Sequence, residues 1–237
     1  MTHILHGKMS TEMGDTMLQR ENISDKLADV IRKKIIHNEL KSGETITEIQ
    51  ISKEWNISRS PVRDALHILK TQRLLEKSSK GHYMVPVLNA DYVENFYDAI
   101  VMFYQYSFSR TTKYITDKDS AFLLSVVEKI EKSIGYGDFD IYVQGISKFA
   151  RKVLQIARNP IIEKSANELM PTAERVQFAA YEIEPSYIEK AFKYVWESYE
   201  CLSGKDLNNA VKNFSLFSNT SREILVNHFN DNDMSIK

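Results

Sequence analysis

The stretch Ile57-Ser58-Arg59-Ser60-Pro61-Val62-Arg63-Asp64-Ala65-Leu66 brings two guanidiniums and two hydroxyls together, groups whose shared chemistry is hydrogen bonding to anions and base edges. Ser58 is placed to N-cap a helix, its hydroxyl accepting an orphan backbone N–H, and Pro61 falls in the first turn, where a missing N–H costs nothing. Val62, Leu66 and Leu69 follow at helical spacing, with Ala65 and Ile68 beside them. One face is then to be buried while Arg59, Ser60 and Arg63 stay outside. Arginine can offer guanine two hydrogen bonds in the major groove, and the N-terminal turn of a recognition helix is the end that meets the bases. An arginine on a helix surface is more often a solvated charge, so the weight falls on what must position this one.

Upstream, Thr47 to Trp55 predicts a two-turn helix with Thr47 as N-cap and Ile51 and Trp55 on one face, and Asn56-Ile57 makes a tight turn. Before it, Ile23 to His37 reads as a longer helix with Leu27, Val30, Ile31 and Ile35 inward, closed by Asn38 and followed by the turn residues 41–44. Downstream, Leu74-Leu75-Glu76-Lys77 and Tyr83-Met84-Val85 predict two strands around a tip that carries Lys80, Gly81 and His82. Three helices plus a β-hairpin wing make a winged helix-turn-helix over residues 22–86, with residues 1–21 expected as a flexible arm. From 87 to 237 every segment reads as helix, at about 90–114, 118–135, 138–157, 159–181, 185–203 and 205–231, with breaks at Thr116-Asp117, Gly135-Tyr136-Gly137, Asn159-Pro160, Glu184-Pro185 and Ser203-Gly204. The expected fold is mainly α, the winged helix being followed by an all-α antiparallel helical bundle.

Charge divides along the same boundary. Residues 22–86 hold 12 Lys and Arg against 8 Asp and Glu, and residues 87–237 hold 17 against 21, so a basic head precedes an acidic body. Phosphate neutralisation supplies much of protein–DNA affinity, which suits such a head. The single cysteine, Cys201, excludes an internal disulfide and fits a reducing cytoplasm, and its helical position predicts a buried structural thiol. No apolar run has the length of a membrane helix. An enzyme is disfavoured, because no G-x-S-x-G, phosphate loop, HExxH or paired-cysteine motif occurs.

Residues 22–86 resemble the GntR transcription regulators. The family's SRxPVREAL helix, preceded by a G-x-L-x-PG-x-x-L-x-E segment, is matched by Ser58 to Leu66 and by Asn38 to Glu48, with Ser42 in place of the usual proline and Arg73 where glycine commonly precedes the wing. The bundle resembles the FCD effector domain of the FadR branch. The matching features are Phe149 in a central helix, Ala157 to Ile162 at a helix junction, and Cys201-Leu202 before Lys205-Asp206. The resemblance implies a cytoplasmic homodimer, most simply a repressor, that reads an inverted-repeat operator in double-stranded DNA. On this reading Thr47, Ser58, Arg59, Ser60, Arg63, Lys80, Gly81 and His82 contact DNA.

Many FCD domains hold a divalent metal through an aspartate and three histidines. Here the corresponding positions are Ile146, Ala150, Val195 and Phe217, and the family's inward arginine and glutamate are replaced by Ile100 and Tyr104. The histidines are His3, His6, His37, His67, His82 and His228, so nothing between Tyr83 and Asn227 supplies an imidazole. No metal or other cofactor is expected. Two readings stay open for this centre. Either Ile100, Tyr104, Ile146, Ala150, Val195 and Phe217 surround a pocket for an apolar or aromatic effector, or they fill the space and the bundle is a solid dimerisation scaffold. A polar site elsewhere, around Arg151, Arg175 or Asn213, is a third.

Overall fold

Leu27, Ile31 and Ile35 recur at the helical period, and residues 23–36 form helix α1 in the computed structural model, which describes residues 23–78 and 81–234, the side chains of 232–234 excepted. The expected arm at 1–21 and the wing-tip Lys80 lie outside the described residues. The chain divides into two compact units, Met1–Pro86 and Val87–Lys237.

In the first unit, β1 (Thr45–Ile46) precedes α2 (Glu48–Glu54), α3 (Arg59–Thr71), β2 (Glu76–Lys77) and β3 (Tyr83–Met84). The buried core joins Leu27, Ile31 and Ile35 of α1 to Ile51 of α2, to Val62, Leu66 and Leu69 of α3, and to Leu74, Leu75, Tyr83 and Val85 around the hairpin. Val30, expected inward, is 42% exposed, and Ala28 takes the inner position at 0%. Leu27, Ile31 and Ile35 already span the buried stripe, and Val30 falls off it.

The hairpin carries a strand that the expected wing lacked. The sheet is three-stranded and antiparallel in the order β1-β3-β2, with Thr45 opposite Met84 and Ile46 opposite Tyr83. Backbone bonds Gly43 N–H to Val85 O and Val85 N–H to Glu44 O, both 2.9 Å, extend the ladder beyond β1. A two-residue strand between a turn and an N-cap has no room for apolar alternation, so only its distant partner defines it.

Two of the left-handed turns fall where the sequence had marked a break or a departure. Asn56, between α2 and α3, has φ 51°, a conformation that asparagine tolerates better than most residues. Arg73 has φ 57°, and its Cβ is the steric reason that glycine is the easier residue there.

The second unit comprises α4 (Ala90–Tyr114), α5 (Asp117–Tyr136), α6 (Phe139–Ile156), α7 (Pro160–Ile183), α8 (Tyr187–Ser203) and α9 (Leu207–Met234). Side-chain caps set most of the starts. Asn89 accepts from Tyr92 N–H, Thr116 and Asp119 form a capping box, Asp138 accepts from Ile141 N–H, and Asn159 accepts from Ile161 and Ile162 N–H. Helix α9 lies along α8 and α4, and α5 lies along α6. Ion pairs from Arg222 to Glu94 and Asp98 and a 2.5 Å hydrogen bond between the Tyr97 and Ser221 hydroxyls tie α9 to α4.

Gly145 sets how closely α5 and α6 approach. A Cβ on it would overlap Ile130 Cγ1 and meet Cδ1 at 3.2 Å, and Ile130 is fully buried and β-branched. Gly145→Ala is expected to destabilise the protein by about 1–2 kcal/mol, because overpacking outweighs the gain in helix propensity. Gly135→Ala, whose Cβ meets nothing within 4 Å, is expected to stabilise by about 0.5–1 kcal/mol. Thermal unfolding of the two variants checks the opposite signs.

Candidate nucleic-acid interface and bundle cavity

Helix α3 begins at Arg59 with Ser58 at the N-cap position, yet the Ser58 side chain makes no capping bond. The expected hydroxyl cap is therefore corrected, and the cause is local. An N-cap oxygen accepts from the second or third helical N–H, and the third residue here is Pro61, which has none. The Ser58 hydroxyl is thus uncommitted to the helix start, on an exposed residue. A free hydroxyl at a helix N-terminus attracts an anion.

Arg59 is exposed and makes no ion pair among the described residues, and Ser60 is half-buried beside it. Arg63 is also exposed, and its Nε lies 3.5 Å from Glu48 Oε1 of α2. Glu48 and Arg63 both act on the Tyr83 phenol of β3, whose pKa rises through burial first and the Glu48 charge second, with Arg63 opposing. Helices α2 and α3 and strand β3 thus meet around Arg63. Thr47 caps α2 as expected, accepting from Gln50 N–H at 3.2 Å and donating to Gln50 Oε1 at 2.7 Å. Its hydroxyl is thereby committed to the helix start. At the wing, Ser78 N–H donates to His82 O at 2.8 Å and Gly81 N–H to Ser78 O at 2.9 Å, with Gly81 at φ 82°. Gly81 and His82 are both exposed.

The bundle holds a partly open cavity of about 60 Å³. Ile100, Tyr104, Ile146, Ala150, Val195 and Phe217, brought together from α4, α6, α8 and α9, all line it. Tyr104 lies over Phe214 at 4.6 Å between ring centroids, and Phe214 lies 6.1 Å from Phe217. These rings narrow the space without closing it. Gln177 of α7 and Ser198 of α8 also line it, and neither was foreseen. No local signal separates Gln177 from Gln144 or Gln155, since only the packing of α7 against its neighbours turns it inward.

The polar alternatives fall elsewhere. Arg151 is exposed. Arg175 is buried but does not line the cavity, and burial lowers its pKa to about 10. Asn213 Nδ2 donates to Cys201 Sγ at 3.8 Å. Cys201, expected buried, is half-buried, because α8 turns part of it toward the surface. Desolvation, then Asp206, Glu197 and Glu200, hold its thiol pKa above the usual value, so the sulfur stays protonated and is a poor nucleophile. Among the described residues no group of three His, Cys, Asp or Glu side chains could hold a metal ion, and no helix is long and apolar enough to cross a membrane.

A winged helix whose third helix starts with two exposed arginines, joined in one chain to an all-α bundle, has the architecture used by DNA-binding regulators. The family model "Bacterial regulatory proteins, gntR family" matches residues 23–83, so the first unit of the chain is similar to that family's DNA-binding part. It is 25% identical over 157 residues to the gluconate operon transcriptional repressor of Bacillus subtilis, covering 66% of this chain and 64% of that protein. It is also 25% identical over 130 residues to the uncharacterized HTH-type transcriptional regulator YdhC of the same species, covering 54% and 58%. The chain thus spans somewhat under two thirds of the length of these relatives, both of them named as transcriptional regulators. In fold it is similar to E. coli McbR/YncC, with TM-score 0.74 at 16% identity over 87% of this chain and 98% of that one. It is also similar to a GntR-type regulator from Rhodococcus sp. RHA1, with TM-score 0.67 at 16% identity over 85% and 97%.

Proposed function

We propose that the protein is a dimeric repressor of the FadR branch, with an FCD-like bundle, acting in the bacterial cytoplasm on an inverted-repeat operator. The observation that carries the reading is the start of α3, where Ser58, Arg59, Ser60 and Arg63 stand together beside the wing with the helix end uncapped. Arg59 and Arg63 read base edges, and Ser58, Ser60 and the wing residues Gly81 and His82 hold phosphates. The sequence supplies a further cation, Lys80, directly before Gly81. Two such heads related by a two-fold axis require a symmetric site.

The bundle supplies the control. Its cavity lies at the positions where the resembling domains bind metal and ligand, and here its lining is neutral and mostly apolar. An apolar or aromatic effector bound there changes operator affinity by a coupling of about 1–3 kcal/mol. The gluconate in the relatives' name does not carry over, since an acid would lose its hydration among neutral side chains with no cation in return. The cavity, at about 60 Å³, is smaller than the roughly 150 Å³ of an engineered cavity that admits benzene. A ring therefore requires the half-buried Phe217 to swing aside.

Selection from random duplexes with the full-length protein tests the DNA reading. The expected result is an enriched inverted repeat whose affinity falls by roughly 10³–10⁵ between 50 and 200 mM salt, as for 6–10 phosphate contacts. Recovery of no repeat, or an affinity indifferent to salt, would overturn it.

A further inference from the structure

Three polar atoms of the bundle cavity have no hydrogen-bond partner among the described residues: the Tyr104 hydroxyl, the Gln177 side-chain carbonyl and the Ser198 hydroxyl. Their residues are 3%, 6% and 2% exposed, and they come from three different helices, α4, α7 and α8. All three line the same cavity. Buried polar atoms are nearly always paired, and leaving one unpaired costs stability. Three around one space are the wrong composition for a core filled only to hold helices together.

Every residue lining the cavity is uncharged. A carboxylate would find no cation in the lining, where only the field of the exposed Arg151 reaches the Tyr104 phenol from outside, and an ammonium would find no carboxylate, so a charged ligand would lose its hydration with little return. A purely apolar ligand would leave the three polar atoms as they are. What fits is a ligand with a group that both donates and accepts, on a small apolar frame. A hydroxyl is that group.

We infer that the cavity takes an uncharged hydroxyl compound on an apolar frame, a phenol or a small alcohol, its O–H donating to Gln177 Oε1 and its oxygen accepting from Tyr104 or Ser198. The inference rests on the bundle being the effector chamber and names the class of effector. The hydrocarbon part meets Ile100, Ile146, Ala150 and Val195. The Tyr97 and Ser221 hydroxyls, also in the lining, already bond each other at 2.5 Å and stay out of the exchange.

Calorimetric titration of the full-length protein at neutral pH, with phenol as the probe and benzene and benzoate as matched apolar and charged controls, tests it. Phenol is expected to bind once per chain, at least tenfold more tightly than either control. Tyr104→Phe removes one oxygen and nothing else. It is expected to hold or raise the melting temperature of the free protein while weakening phenol three- to tenfold. Gln177→Leu and Ser198→Ala are expected to weaken phenol similarly, and a purely structural role would not give stability and affinity opposite signs. Equal binding of phenol and benzene would overturn the hydroxyl assignment while leaving an apolar chamber in place. So would phenol affinity unchanged in all three variants. Binding of benzoate in preference would overturn the neutral class, and binding of none of the three would overturn the inference outright. Failure of the regulator reading itself would appear separately, in the operator measurement made without any probe.

Discussion

Arg59→Ala is expected to weaken operator binding roughly 5- to 150-fold, the equivalent of about 1–3 kcal/mol for one bidentate arginine–guanine pair. The side chain is exposed at the first turn of α3 and is held by no carboxylate among the described residues, so its removal disturbs no packing. Circular dichroism and melting temperature are expected to match the parent, and fluorescence anisotropy at fixed salt gives the affinity. Specificity is expected to relax at one base pair. Truncating a side chain that bound only phosphate would instead weaken all duplexes alike and reduce the salt slope by about one. An unchanged operator affinity in a folded variant would remove α3 from the role of recognition helix.

Ala150→Phe is expected to abolish every effector response while leaving operator affinity in the absence of ligand within about twofold. Ala150 stands in the lining of a cavity of about 60 Å³, and a phenyl ring there occupies the space an effector needs. Overpacking costs such a variant about 1–3 kcal/mol of stability, an amount thermal unfolding will show. Operator affinity is measured for parent and variant against a panel of neutral aromatics at saturating concentration. Responses in the parent that vanish in the variant place the effector in the bundle. If no compound moves the parent, or the variant responds as the parent does, the bundle is better read as a solid dimerisation scaffold.

Sequence reasoning reached furthest where the determinants are local. Asn89, Thr116, Asp138 and Asn159 are side-chain caps, and helices α4 to α7 begin beside them at or within a residue or two of the expected positions. The buried face of α3 follows from the spacing of Val62, Leu66 and Leu69. Ile100, Tyr104, Ile146, Ala150, Val195 and Phe217 came from a resemblance, and the fold brings all six to one cavity. What could not be read is long-range. Strand β1 is two residues whose partner lies nearly forty positions on, and the inward turn of Gln177 and Ser198 depends on how α7 and α8 pack. The missing Ser58 cap is different in kind, since it is local: Pro61, three residues on, has no N–H to offer the Ser58 hydroxyl.

The carboxylate of Glu48 beside Arg63 bears on how the protein searches as well as on what it finds. A guanidinium already facing an acid at 3.5 Å has less to give a stray phosphate, since its partner must approach a strand of its own sign. Non-matching duplex, which offers phosphates alone, therefore gains less from Arg63 than from an unheld arginine such as Arg59. A guanine in register can recover the difference through two directed hydrogen bonds. If α3 reads DNA as proposed, Glu48 lowers the residence time on wrong sequence more than on right sequence. On that reading both arginines seek bases, and the one kept on a short leash makes the head quicker to leave the places where it does not belong.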